Sequence, residues 1–402
     1  MPTYPIQIAT RGSALALAQA NEVRELLRRA FPKLLFEIKP IKTTGDRRSE
    51  ERGAKREGRR GKSAIFGEER ETRKAESGKS GAGNYSPPSI EKGLFTKEIE
   101  IALMRREADL AVHSLKDLPT TLPSGLLLAA TPKRADVRDV LIYRSSAVSA
   151  EQSVKKLAKG ESLFERLAGE KDYLITGTEA YATNFRKFAG GTKLTDLPQG
   201  AVIATGSPRR RAQVLAARSD LRVVEIRGNV ETRLKKFEGD GAVDAMILAA
   251  AGLERLQLQF QNRVVKGAGE GARWDGLVAE EMELGVMLPA VGQAAIGIQC
   301  RVDDERMMEL MGSINHFGTF AAVGAERALL RGLGGGCATP IAAFGEYDAG
   351  GKSLKLSGAV FSLDGKRAVR GEIKGKAEEA EKLGEELARE LLAKGAGEIL
   401  KT

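Results

Sequence analysis

Two cysteines, two histidines and one tryptophan among 402 residues exclude several kinds of chemistry. Two cysteines cannot build a disulfide framework, and with only His113 and His316 beside them no Cys/His spacing makes a zinc site, so no metal is expected. So little histidine also argues against a Ser-His-Asp mechanism, because His113 is the only imidazole near other candidate catalytic residues. No run of about 18 apolar residues occurs, so nothing reads as a membrane span. The start, Met1-Pro2-Thr3-Tyr4-Pro5, passes into a strand-like Ile6-Gln7-Ile8-Ala9 with no basic-then-apolar leader, which predicts a cytoplasmic protein.

Charge is plentiful but unevenly placed. The formal net charge is +10, and residues 47–81 alone carry 12 Lys/Arg against 7 Asp/Glu. Half of the excess therefore lies in one low-complexity stretch almost without aromatics for base stacking. A solvated insertion over 47–89 explains this better than a nucleic-acid surface. Gly61-Lys62-Ser63 looks like half of a phosphate-binding loop, but Arg56 stands where that motif requires glycine and no apolar strand precedes it, so no nucleotide site is expected there. A second polar stretch, 148–191, reads as another surface excursion.

With 42% hydrophobic residues the chain as a whole is globular, and its length suits two or three domains. A strand over 6–10, a helix over 13–31 and a strand over 34–41 give β-α-β order, the mark of an α/β domain with a largely parallel sheet. After the first insertion a helix over 94–107 leads into a strand over 108–112. Strands at 126–131 and 139–143 cross into a second domain, where strands at 201–204, 222–226 and 243–248 alternate with helices at 208–218, 230–237 and 251–258. A return segment, 288–299, follows. A helix over 319–333, strands at 341–347 and 354–362 and a final helix over 377–394 form a small α+β tail.

Three features of this pattern carry chemistry. Arg11, Arg209, Arg210 and Arg227 sit just beyond strand ends, and Arg233 and Arg255 lie a turn or so into the helices that follow. An arginine fork matches a carboxylate two bonds at a time, so such a set suits a ligand with many carboxylates, although ordinary ion pairs with Asp and Glu are the alternative. Thr205-Gly206-Ser207 adds hydroxyls and N–H groups at a helix N-terminus. Asp117 is the only acid in His113-Ser114-Leu115-Lys116-Asp117-Leu118-Pro119, at a strand's carboxyl end where open α/β sheets place ligands; it either accepts substrate N–H groups and moves a proton, or caps a turn. Cys337 ends a glycine-rich run, Gly332-Leu333-Gly334-Gly335-Gly336, and is either a presented thiol or a small hydrophobe past a helix end.

Five motifs in this order resemble one family. Thr10-Arg11-Gly12-Ser13-Ala14-Leu15-Ala16-Leu17, His113-Ser114-Leu115-Lys116-Asp117, Arg227-Gly228-Asn229, Leu288-Pro289-Ala290-Val291-Gly292-Gln293 and Gly335-Gly336-Cys337 together resemble hydroxymethylbilane synthase, also called porphobilinogen deaminase. The resemblance implies two lobes like those of type II periplasmic binding proteins plus a C-terminal α+β domain, with domain 1 over 1–132 and 295–313, domain 2 over 138–288 and the third over 317–402. It implies the joining of four porphobilinogen units, each losing ammonia, on a dipyrromethane cofactor bound to Cys337 as a thioether. Asp117 falls on the family's catalytic aspartate. Cofactor-binding positions fall on Ser13, Lys116, Thr205, Ser207, Arg209, Arg210 and Gly228, and substrate-binding positions on Arg11, Lys92, Arg227, Arg233 and Arg255. A monomer that passes its product to uroporphyrinogen-III synthase, without nucleic acid or membrane, is the implied setting.

The chain also departs from that pattern. The 47–89 stretch enlarges a loop that is short in most relatives, and a lysine expected just before Lys92 has no counterpart. Pro208 replaces an apolar residue but suits the first turn of a helix. Glu231 puts a carboxylate between Arg227 and Arg233, where it can pair with either. Ala294 replaces a usual glycine after Gln293, stiffening an interdomain crossing.

Overall fold

The computed structural model describes residues 5–45, 96–146, 185–262, 273–274, 276–336, 338–348 and 352–401. The insertion at 47–89, Lys92, Cys337 and residues 147–184 of the second insertion lie outside them.

β1 (Ile6–Arg11) is an inner strand of the first sheet, pairing in parallel with both β2 (Phe36–Ile41) and β3 (Leu110–Ser114). Between β1 and β2 runs α1 (Ala14–Ala30), opened by the Ser13 hydroxyl accepting the Ala16 N–H and closed by Arg28 and Arg29, where the helix dipole favours cations. It lays Ala20, Val23 and Leu27 on the sheet, while Leu15 and Leu17 are only half-buried. α2 (Lys97–Met104) leads into β3, and β4 (Leu126–Ala130) stands at the sheet's edge.

The chain then crosses to β5 (Asp139–Arg144) in a second lobe, which continues through β6 (Val202–Ala204), α3 (Pro208–Ala217), β7 (Arg222–Val224), α4 (Val230–Glu238), β8 (Ala245–Ala249) and α5 (Ala250–Arg255). Short pieces β9 (Gln259–Phe260) and β10 (Arg273–Trp274) pair with each other before β11 (Leu277–Glu281). The return crossing delivers β12 (Ile296–Arg301) back to the first sheet.

The two sheets repeat one arrangement. The first has order β2-β1-β3-β12-β4 and the second β7-β6-β8-β5-β11. In each, the strand arriving from the other lobe is inserted next to the edge and runs antiparallel to both neighbours. The sheets are therefore mixed rather than largely parallel. Each lobe lends the other no strand of its own, but each is completed only after the chain has crossed between them. β5 and β12 are buried along their whole length; β5 accordingly carries the apolar run Val140 to Tyr143, whereas β12 also buries Gln299 and Arg301. Every fully buried Leu or Ile in them contributes about 1.5–3 kcal/mol over an exposed one.

α6 (Glu305–Ile314) caps the first lobe, and α7 (Phe317–Gly332) opens the third unit. There β13 (Ile341–Tyr347), β14 (Ser353–Phe361) and β15 (Ala368–Lys376) form an antiparallel sheet, covered by α7, α8 (Ala380–Ala393) and α9 (Ala396–Leu400). β11, β15 and α6 went unassigned in the sequence; in β15 all residues are at least partly exposed, and of the alternate positions that face inward only Val369 and Ile373 carry apolar side chains. This unit touches both lobes. Ala342, Ala359 and Phe361 pack on Ala212 of α3, and Val323 of α7 packs with Leu115, Leu118 and Ala295 of the first lobe. Among the described residues no helix is long and apolar enough to cross a membrane.

Candidate active site

β3 ends at Ser114 and the chain tightens into a 3-10 turn, Leu115–Asp117, closed by the Leu118 N–H donating to the Leu115 carbonyl. Leu115 is the wedge that fixes this turn: its N–H donates to the Ala295 carbonyl, and a Cβ on Gly297 would lie 2.7 Å from its Cδ1. Only glycine at 297 leaves Leu115 this room. With Leu115 and Leu118 held inward, Asp117 is left exposed on the other side. Its carboxylate makes no hydrogen bond or ion pair among the described residues, yet it lies within electrostatic range of Lys116 and Arg233. It does not cap a turn with its side chain.

Lys116 is half-buried, and desolvation pushes its ammonium down to about 8; Asp117 and Asp139 act against that, and Arg210 and Arg209 reinforce it. His113 is a different case. Burial holds its imidazole at about 4, against the opposing effect of its 3.2 Å bond to Gln299, so it is neutral near pH 7.

Asp139, which opens β5 straight after the crossing, organises the arginines of α3. Arg209 Nη2 reaches its Oδ2 at 2.8 Å, and Arg210 reaches Oδ1 through Nη2 at 2.7 Å and Nε at 3.2 Å. Arg209 also donates to the Leu288 carbonyl at 2.6 Å and Arg210 to the Ile247 carbonyl at 3.0 Å. Gln293, from the return crossing, adds a donor to Asp139 at 2.9 Å. Burial pushes the Asp139 carboxyl up, but Arg209 and Arg210 overcome it and hold it at about 2. Both guanidiniums thus bind Asp139, the ion-pair alternative that the sequence left open. Two cations against one carboxylate still leave a net positive charge beside Lys116.

The remaining arginines divide. Arg233, on α4, donates through Nε to the Gly228 carbonyl at 2.7 Å, while its two terminal nitrogens have no partner among the described residues. Burial, then Arg210, push it down to about 10, with Asp117 acting against the shift. Gly228 has φ +126 and no space for a Cβ, which would meet Thr232 Cγ2 at 2.7 Å, so the Arg227-Gly228-Asn229 motif needs glycine in the middle. Arg227 is half exposed and pairs with Glu225 at 2.6 Å. Glu231 pairs with neither Arg227 nor Arg233 among the described residues. Arg255 bonds Glu22 of α1 at 3.1 Å and the Ala294 carbonyl at 3.0 Å, so it bridges the lobes. Ala294 itself adopts φ +68, a left-handed conformation that disfavours any side chain.

Arg11 closes β1, half-buried, with its charge felt at His113. Ser13 and Ser207 are the N-caps of α1 and α3, Pro208 fills the first turn of α3, and the Thr205 hydroxyl accepts the Ser207 N–H at 3.2 Å. A small interlobe cavity of about 30 Å³ is lined by Gln19, Ser114, Lys116, Arg255 and backbone of the return crossing. It is large enough for a water, with polar groups to hold one. Lys116, Asp117, Arg210 and Arg233 thus form one electrostatically coupled set at the lobe junction, whereas Arg227 and Arg255 are engaged by acids nearby. Sequence reading missed Asp139 and Gln293. The available signal was a single acid opening the apolar run Val140 to Tyr143.

Two family models match the chain. One described as "Porphobilinogen deaminase, dipyromethane cofactor binding domain" matches residues 6–73, 86–164 and 168–309, and one described as "Porphobilinogen deaminase, C-terminal domain" matches residues 320–393. Curated relatives named porphobilinogen deaminase include that of Desulforudis audaxviator, 40% identical over 395 residues, covering 98% of this chain and 96% of the relative. That of Geotalea uraniireducens is 38% identical over 400 residues, covering 100% and 95%. That of Thermus thermophilus is 37% identical over 395 residues, covering 98% of each.

Proposed function

Because the chain belongs to the porphobilinogen deaminase family, we propose that it joins four porphobilinogen molecules head to tail, with loss of ammonia at each step, to give hydroxymethylbilane, and that Asp117 is its catalytic carboxylate. The observation that carries this reading is Asp117 itself: an exposed, unbonded carboxylate at a strand end, flanked by Lys116 and Arg233.

The dipyrromethane cofactor of the family fits the residues present. It carries carboxylates, and the site offers the partly desolvated Lys116, the open terminal nitrogens of Arg233, the surplus charge of Arg209 and Arg210, and the hydroxyl-bearing N-termini of α1 and α3 at Ser13, Thr205 and Ser207. When bound, through Cys337, it supplies the pyrrole on which the first substrate is added. In our reading Asp117 accepts pyrrole N–H groups and stabilises the positive charge left when ammonia departs, an electrostatic effect strengthened where the lobes exclude water. Arg11, Arg227 and Arg233 orient substrate carboxylates with Lys92, and Arg255 does so once released from Glu22. Domains over 1–132 with 295–313, 138–288 and 317–402, a monomeric state, a cytoplasmic location and transfer of the product to uroporphyrinogen-III synthase complete the proposal.

Intact mass and a colour test with acidic dimethylaminobenzaldehyde test it. Protein from cells that make tetrapyrroles is expected to carry two linked pyrroles and give the colour, both abolished by Cys337→Ser. An unmodified mass, with no consumption of porphobilinogen, would refute the reading.

A further inference from the structure

α7 belongs to the third unit, yet one of its side chains holds the Asp117 loop. Arg327 is buried, 7% exposed, and donates through Nη1 to the Leu118 carbonyl at 3.0 Å and through Nη2 to the Pro119 carbonyl at 2.7 Å. These are the two residues directly after Asp117. One turn earlier on α7, Val323 packs against Leu115 and Leu118, the two apolar residues that flank Lys116 and Asp117. Glu326, beside Arg327, accepts the Gly292 N–H at 2.7 Å and takes a bidentate pair from Arg134 at 2.6 and 3.1 Å, so the helix is fixed to both interlobe crossings. Ten residues on from Arg327 the chain reaches Cys337.

Resting on the functional reading above, we propose that Arg327 is a positioning residue for catalysis. By fixing the Leu118 and Pro119 carbonyls it sets where the Asp117 carboxylate stands, and α7 ties that carboxylate to the domain that carries the anchoring thiol. The physical basis is geometric. Pro119 has no N–H and Leu118 uses its own within the turn, so the two carbonyls are the groups available to hold this stretch from behind, and a planar guanidinium grips both at once. A lysine at 327 would reach one. An error of about 1 Å in a reacting group costs on the order of a hundredfold in rate.

Arg327→Met and Arg327→Lys are compared with wild type, with turnover expressed per mole of primer-loaded protein from intact mass, well below each variant's Tm. We expect normal loading, KM for porphobilinogen within about twofold, and kcat lowered roughly 10- to 100-fold for Met, with Lys intermediate. A residue that only stabilises the fold would lower Tm and leave kcat per loaded enzyme unchanged; that result, in either variant, overturns the proposal. If Arg327→Met fails to fold, Arg327→Lys decides alone. Combining Arg327→Met with Asp117→Glu supplies the coupling: the second change is expected to cost less than about threefold further, since the carboxylate is already displaced, and full additivity would also overturn it. A wild type without primer or porphobilinogen consumption overturns the functional reading, and this inference with it; a loaded, active wild type separates the two.

Discussion

Arg255 of α5 meets Glu22 of α1 at 3.1 Å, an ion pair that joins the two lobes beside the interlobe cavity. Glu22 is 40% exposed, so the pair is partly screened and its loss should cost at most about 1 kcal/mol of stability. Glu22→Gln frees the Arg255 fork for a ligand carboxylate while leaving its bond to the Ala294 carbonyl. The expected outcome is a KM for porphobilinogen equal to or below wild type in steady-state assays. A KM raised severalfold would show that Arg255 serves the lobe contact and not the substrate.

Asp117 is exposed and bonded to nothing among the described residues, so Asp117→Asn should change stability by no more than about 0.5 kcal/mol. Turnover is expected to fall by about a hundredfold to ten-thousandfold, because the neutral amide can neither balance a developing cation nor carry a proton. Thermal unfolding and kcat measured on one preparation check both halves. Near-normal turnover would remove Asp117 from its proposed role.

Asp139 predicts the opposite balance. Asp139→Asn leaves Arg209 and Arg210 buried without their anion and should destabilise by about 3–5 kcal/mol in denaturant titrations at pH 7. The pH dependence follows from its folded value of about 2, below the ordinary 3.8. The stability it contributes is fully present above pH 3.8 and is lost as pH falls towards 2. The gap between wild type and variant should therefore narrow between pH 4 and pH 2. A gap that stays constant across that range would mean that the ion pairs are not its source.

Gly228→Ala tests whether the Arg233 loop is set by backbone. With φ +126 and Thr232 Cγ2 at 2.7 Å from an added Cβ, the variant should lose about 1–3 kcal/mol. Because the Gly228 carbonyl is what Arg233 Nε binds, kcat/KM should fall with it. Normal kcat/KM in a folded variant would argue that Arg233 needs no such support.

Local order was legible in the chain itself. β1, α1, α3 and α4 follow from apolar spacing and from the caps Ser13, Ser207 and Asn229, each of which binds an N–H within its own first turn. The motifs around Arg11, Asp117 and Arg227 were legible too, since each lies at the end of a strand. Lys92 and Cys337, read from the same motifs, lie outside the described residues.

Pairing over long separations was not legible. That β12 slots between β3 and β4, or that Asp139 meets Arg209 and Arg210, depends on contacts about 70 to 190 residues apart that no local period encodes. Sequence alone determined which residues are charged and which strand end presents an acid. Only the tertiary structure decided which of those charges neutralise one another and which, like Asp117 and the tip of Arg233, are left facing the lobe junction. The reason is physical: charge and spacing are local properties, whereas desolvation and pairing are set by whatever the rest of the fold brings alongside.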